Sequence, residues 1–273
     1  MHFNKLKISA TLTIIIAITL STIPANAITG NSHPDNTHSF VGLVVFYSLD
    51  ANGNQSPVSV SSGILLSPTT MLTTAHSCVT NNAIVCFDEG PITWSLNGDQ
   101  LQINGVTSTY KGTAYINPEF QIGQSNSLPE FIHNDLAIII LEEPVPSSVV
   151  DTYAQLPTLG AVDTLSTRTD VTLVGYGFDS NTGVIMRNYA YSRMLSGNFA
   201  WSDEFIRCQA SKGNGRGGIN NGDSGGPVLL GNTNVVIALN SYTVNANCAG
   251  VSYHARLDLP QVLDWIAEVS QFD

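Results

Sequence analysis

An all-β fold is what this sequence predicts, on three observations. Short runs rich in Val, Ile, Thr and Tyr recur along it, clusters of Asn, Gly, Ser and Pro part them, and a helical period is plain only near the C-terminus. The runs at 40–49, 63–66, 92–96, 136–141, 171–176, 228–230 and 235–239 have the β-branched and aromatic content that suits a pleated, half-buried surface. Between them, Asn52-Gly53-Asn54, Asn97-Gly98-Asp99 and Gly231-Asn232-Thr233-Asn234 supply turn residues, which favours antiparallel hairpins over helical crossovers. A barrel or a sandwich follows. The one helix is expected where Leu259, Val262, Leu263, Ile266 and Val269 repeat at three-and-four spacing, with Pro260 near its start, and its apolar face should pack on the barrel.

Residues 1–27 read as a targeting signal rather than as structure. Lys5 and Lys7 precede an apolar run at 8–20, too short to span a bilayer, and Ala25-Asn26-Ala27 has the small-x-small pattern of a signal-peptidase site. Residues 28–273 should then be secreted, extracellular or periplasmic, with no membrane attachment after cleavage. With 43% apolar and 11% charged residues, the 273-residue chain can bury a substantial core and is not a disordered protein. Its formal charge of -11 becomes -13 once the two leader lysines are removed. Such a surface repels phosphate backbones, which argues against nucleic acid and anionic lipid as partners.

Cys78, Cys86, Cys208 and Cys248 all lie beyond the leader, which suits two disulfides in an oxidising compartment. Three pairings are open. Cys78 with Cys86 is favoured as the staple of a short loop, and Cys208 with Cys248 as a tie between two segments around the motifs described next. The cysteines do not form the paired clusters of a zinc site, His33, His38 and His133 lack partners at ligand spacing, and Asp88 and Glu89 lack the spaced oxygens of a calcium loop. No metal is expected.

The segment most informative about chemistry is Asn220-Asn221-Gly222-Asp223-Ser224-Gly225-Gly226-Pro227, where a serine sits between glycines that let the backbone approach a ligand closely. A serine hydroxyl is a weak nucleophile, so it needs a base to take its proton and a pair of donors for the oxyanion formed on attacking a carbonyl. The N–H groups of Gly222 and Ser224 are the candidate donors. His76, placed by Leu72-Thr73-Thr74-Ala75 at the end of an apolar strand, is the candidate base. Asp135 opens the strongly apolar run at 136–141, where a desolvated carboxylate requires a partner that an imidazole N–H would supply.

Together these motifs resemble the chymotrypsin/trypsin family of serine endopeptidases, in its secreted, bacterial type. Thr74-Ala75-His76 is similar to the family's Ala-Ala-His-Cys, Asn134-Asp135-Leu136-Ala137 to its Asn-Asp-Ile-Ala, and residues 222–227 to its Gly-Asp-Ser-Gly-Gly-Pro, in the same His, Asp, Ser order. The resemblance extends through Glu143-Pro144-Val145, Val174-Gly175-Tyr176-Gly177, Asn240-Ser241-Tyr242 and Trp265-Ile266. It implies two packed six-stranded antiparallel β-barrels and a C-terminal α-helix, with the two halves of 28–273 dividing near 145–165 and the active site in the cleft between them. The implied activity is hydrolysis of peptide bonds in a protein or peptide substrate through an acyl-enzyme, by a monomer that needs no cofactor and is open to proteinaceous inhibitors. Cleavage after Ala27 would expose Ile28-Thr29-Gly30-Asn31, similar to the Ile-Val-Gly-Gly that begins active members, whose α-ammonium would pair with Asp223.

The chain also departs from the family. Gly218 stands where trypsins carry an aspartate, so a preference for Lys or Arg is not implied. Gly218, Ile219, Ser241 and Thr243 fall at the substrate pocket by resemblance and imply a modest cavity for an uncharged, small to medium side chain, unless Arg216 reaches it and favours acidic residues. Ser241 is also implied as a contact of Asp135. A family cysteine that pairs with the one after the histidine is replaced near Ser61, leaving Cys86 as the substitute, and Asn220 replaces another, so that Cys208 must reach Cys248. Gly222-x-Ser224-x-Gly226 also fits the nucleophile elbow of α/β-hydrolases, but the only later histidine, His254, precedes Asp258 and Asp264, against the order that family needs. The alternative of a different class is a secreted, catalytically inactive homologue acting as a binding module.

Overall fold

A computed structural model describes residues 28–98, 100–125, 128–177, 184–196, 204–210, 215–244 and 248–270. The expected targeting segment lies outside them. In the first half, β1 (Val41–Leu49), β2 (Gln55–Leu65), β3 (Thr70–Thr73), β4 (Asn82–Cys86), β5 (Tyr110–Ile116) and β6 (Ala137–Leu141) close an antiparallel barrel in the order β6-β3-β2-β1-β4-β5. In the second, β7 (Asp170–Gly175), β8 (Asn188–Ser196), β9 (Phe205–Gln209), β10 (Pro227–Leu230), β11 (Val236–Thr243) and β12 (Val251–Arg256) run in the order β7-β10-β11-β12-β9-β8, and β8 pairs back to β7. The expected pair of six-stranded barrels is thus found. Among the described residues each barrel strand is paired on both sides, and the short strand His33–Pro34 adds further to β8.

The apolar strand expected before His76 is β3, whereas β4, β5, β8, β9 and β12 are missing from the strands expected of the sequence, and β5 shows why. It alternates buried Tyr110, Gly112 and Ala114 with more exposed Lys111, Thr113 and Tyr115, so small residues face inward and give little apolar signal. Conversely, the expected run at 92–96 is a strand, Thr93–Asn97, but it pairs with Gln100–Asn104 in a hairpin outside either barrel. Helix α1 (Pro260–Val269) forms where expected, with Pro at its first turn and with Val262, Ile266 and Val269 buried. Among the described residues, no helix is long and apolar enough to cross a membrane.

The barrels meet along an interface that is partly apolar and partly ionic. Val174, Tyr176 and Leu239 of the second half share a buried cluster with Leu43, Ile64 and Leu72 of the first. Through this interface runs Arg187, only 2% exposed, whose Nε lies 3.0 Å from Asp35 Oδ2 and whose Nη1 donates to the carbonyls of Val41 at 3.2 Å and Phe87 at 2.9 Å. A buried guanidinium is tolerable only when its donors are satisfied, so this one residue ties the N-terminal segment to both barrels.

Candidate active site

Asp135 lies two residues before β6, after Asn134 at a positive φ of 47°, and is fully buried. His76 lies in the 3-10 turn Ala75–Ser77 that follows β3. Because β3 and β6 are hydrogen-bonded neighbours, with Thr73 opposite Ala137, the turn and the carboxylate are delivered to the same end of the first barrel. Asp135 Oδ1 accepts the backbone N–H of His76 at 2.9 Å, and Oδ2 lies 2.8 Å from His76 Nδ1. A carboxylate can only accept here, so Nδ1 carries the proton and Nε2 presents a lone pair.

Ser224 comes from the loop before β10 in the second barrel, and its Oγ lies 3.0 Å from that Nε2. The loop can bring it there because two glycines take conformations closed to other residues: Gly222 has a φ of 92° and Gly225 one of 81°. A side chain at Gly225 would run into the Ser62 carbonyl and Thr73 Oγ1 of the first barrel. Ser224 Oγ also lies 3.2 Å from the carbonyl of Ser241, a second acceptor for its proton. The hydroxyl of Ser241 donates to Asp135 Oδ2 at 2.5 Å, so three donors converge on the buried carboxylate. The structure therefore brings His76, Asp135, Ser224 and Ser241 together in one continuous line of hydrogen bonds, across sequence separations of 59, 148 and 106 residues.

Asp223, next to the serine, points the other way into the second barrel. It is fully buried, and Gly175 leaves the room its carboxylate fills. Its Oδ2 accepts N–H groups from Asn220 at 2.7 Å and Ile28 at 2.9 Å, and its Oδ1 that of Gly177 at 2.9 Å. Burial pushes its pKa up to about 7 against the lowering effect of these three bonds. Ile28 is itself fully buried and has a φ of 45°, a region in which a β-branched residue is strained.

The residues implied for the substrate pocket divide. Gly218 lies in the short strand Gly217–Gly218, paired with Thr29–Gly30, and a Cβ there would come within 2.6 Å of Ala210. Ile219 is buried in the second barrel's core with Ile28 and Ala190. Thr243 is half-buried, with its hydroxyl 3.7 Å from Cys248 Sγ. Arg216 does not serve as the alternative anion reader: its guanidinium is held by Asp170 at 3.0 Å and the Ser192 carbonyl at 2.7 Å.

The expected disulfides are corrected by the structure, in which Cys78, Cys86, Cys208 and Cys248 are all free and buried. Cys78 Sγ turns to the Thr74 carbonyl at 3.3 Å, and burial pushes its thiol up to about 12. Cys208 is enclosed in the second barrel's apolar core, and Cys248 Sγ faces Thr243. Cys86 does not take the place of the family cysteine that Ser61 replaces. Ser61 Oγ instead lies 3.0 Å from the hydroxyl of Ser77, the residue that directly follows His76.

Sequence reasoning missed Ser62 and Asn240, and assigned His254 no role at the site. Asn240 accepts the Gly225 N–H at 2.8 Å and has its side chain 3.1 Å from His254 Nδ1. Full burial pushes the His254 pKa down to about 3, so this imidazole is neutral, with Nε2 2.8 Å from Ser252 Oγ. The available signal was weak: small polar residues inside otherwise apolar strands.

A family model described as Trypsin matches residues 31–266. Among curated proteins none matches. Solved structures similar to this chain include HL collagenase (TM-score 0.62, 17% identity, 91% of this chain and 99% of that one covered). The scabies mite inactivated protease paralogue S-I1 is similar at a TM-score of 0.60 and 17% identity, over 90% of this chain and 100% of that one. Granzyme C gives 0.63 and 16%, over 90% and 98%. At these identities the likeness is one of fold.

Proposed function

Because the chain belongs to the trypsin family, matched by its model over residues 31–266, we propose that it is a secreted serine endopeptidase with Ser224 as nucleophile, His76 as general base and Asp135 as the residue that orients the imidazole. The observation that carries this reading is the unbroken line from Ser224 Oγ to His76 Nε2 at 3.0 Å and from Nδ1 to Asp135 at 2.8 Å. Ser224 Oγ attacks a peptide carbonyl while Nε2 takes its proton, and the N–H groups of Gly222 and Ser224 hold the oxyanion. The imidazolium so formed is stabilised by Asp135 and then protonates the leaving amine. Water, activated by the same nitrogen, releases the acyl group. Ser241 helps to hold Asp135 ionised and aligned by donating its hydroxyl.

The preferred residue before the scissile bond is uncharged and small to medium in this reading. Gly218 offers no charge at the pocket, the nearby Ala210 leaves it no room for a side chain, and Arg216 is engaged by Asp170. Maturation by cleavage between Ala27 and Ile28 is supported by two features of Ile28. Its N–H already meets Asp223, and its left-handed φ depends on the preceding carbonyl, so a free terminus relieves a strain of about 1–3 kcal/mol.

The test is labelling by a serine-directed fluorophosphonate, with Ser224→Ala as control. The enzyme reading expects label on the wild type alone. Folded wild-type protein beginning at Ile28 that takes no label points to the inactive binding module instead. Mass-spectrometric profiling of a peptide library then reads the side-chain preference.

A further inference from the structure

We propose that Ser61 and Ser62, neighbours in β2 of the first barrel, are positioning residues that hold the backbone of the nucleophile loop from across the cleft. This rests on the reading of Ser224 as nucleophile. Both residues are fully buried. The Ser62 N–H donates to the Ser224 carbonyl at 2.7 Å and Ser61 Oγ donates to the same oxygen at 2.6 Å, so both of its lone pairs are occupied. Ser62 Oγ donates to the Gly222 carbonyl at 2.8 Å and accepts the N–H of Tyr176 at 2.8 Å. The other faces of the same peptides are tied within the second barrel, Gly225 N–H to the Asn240 carbonyl at 2.8 Å and Asp223 N–H to the Asn220 carbonyl at 3.1 Å.

The consequence falls on the peptide in between. The Asp223 carbonyl accepts the Gly226 N–H at 3.0 Å, and the peptides before and after it are held on both faces. The Ser224 N–H, which shares a plane with the Asp223 carbonyl, is thereby left a single direction. A donor aimed in advance at a developing oxyanion contributes most when it need not reorganise during the reaction.

The clamp also reaches the general base. Ser61 has one proton, and a carbonyl cannot donate, so the Ser224 carbonyl claims it. Ser77 Oγ, 3.0 Å away, is a second acceptor for that proton, and Thr74 Oγ1 lies 2.9 Å from Ser77 Oγ. Thr74 and Ser77 bracket Ala75 and His76, so the Ser61 hydroxyl stands between the turn that bears the base and the Ser224 carbonyl. One strand thus sets the turn bearing the base and the loop bearing the nucleophile in register.

The experiment is a stopped-flow burst with p-nitrophenyl acetate, which acylates a competent serine, without need of a specific peptide, and releases p-nitrophenol. Wild type, Ser61→Ala and Ser62→Ala are compared for burst amplitude, acylation rate constant and ester dissociation constant. The alanine variants should keep the amplitude, hold the dissociation constant within about threefold, and acylate about ten- to a hundredfold more slowly. A loss of amplitude at an unchanged rate constant would mean that the serines only stabilise the fold, and would overturn the proposal, as would wild-type rates in both variants. Should Ser62→Ala not fold, Ser61→Ala decides alone, since it leaves the Ser62 bonds in place. A wild type that shows no burst overturns the serine-protease reading itself, a result separable from an active wild type with unaffected variants.

Discussion

The backbone nitrogen of Ile28 lies 2.9 Å from Oδ2 of Asp223, a residue 195 positions later and adjacent to the nucleophile. In the uncut chain that nitrogen is a neutral amide, and it faces a carboxylate buried without a cation among its hydrogen-bond donors. Cleavage before Ile28 would put an ammonium there instead. In the proposed reading, the state of the N-terminus acts on the loop that carries Ser224.

Protein beginning at Ile28 is therefore expected to acylate at least about tenfold faster than protein that keeps Ala27, because a buried charge lacking its partner costs about 3–5 kcal/mol. N-terminal sequencing of the active material, together with burst rates for the two forms, checks this. Equal rates would remove Ile28 from the account.

Stability should also depend on pH through Asp223. Between the reference value of 3.8 and the folded value of about 7, the folded uncut chain retains a proton that the unfolded chain has lost. Its stability is thus highest at the acid end of that window and falls as pH rises through it. An ammonium at Ile28 favours the ionised carboxylate, so the fall should be smaller in the cleaved form. Urea midpoints of both forms at pH 5 and pH 7 test the difference, and identical changes would count against it.

Asp135→Asn is expected to lower turnover by about four orders of magnitude while leaving the protein folded. Three donors meet the two oxygens of Asp135, namely His76 N–H, His76 Nδ1–H and the Ser241 hydroxyl. An amide nitrogen accepts none of them, so one donor is orphaned or the imidazole takes the tautomer with its proton facing Ser224. Steady-state kinetics beside a thermal melt separates the loss of activity from any loss of fold.

Gly218→Asp should not create cleavage after Lys or Arg. Its Cβ would fall 2.6 Å from both the Cα and the Cβ of Ala210, and the backbone atom cannot swing aside. The substitution is expected to destabilise by about 1–3 kcal/mol instead, as overpacking does. Denaturant titration and assays with lysine and arginine anilides read the two effects, and a gain of basic specificity at unchanged stability would contradict the close packing.

Some of this was legible in the residues alone, because short-range chemistry leaves marks in short motifs. Ser224 between glycines, His76 after an apolar run and Asp135 before one each state a local need. The period of 260–269 likewise states which face of the helix is buried. Where inward positions hold glycine and alanine, as at Gly112 and Ala114 of β5, the pattern falls silent and the strand is missed.

By itself the sequence determined the class of fold and the capacity for a buried core, which follow from composition and periodicity, and the order of the candidate site residues, which follows from their motifs. Tertiary structure alone decided which hydroxyls surround them: that Ser61 meets Ser77 rather than any cysteine, that Ser62 grips Gly222, and that Arg216 turns to Asp170. Such partners are selected by barrel closure, which juxtaposes residues 16, 46 and 160 positions apart in these three contacts, and no local signal encodes a contact whose two halves are individually ordinary.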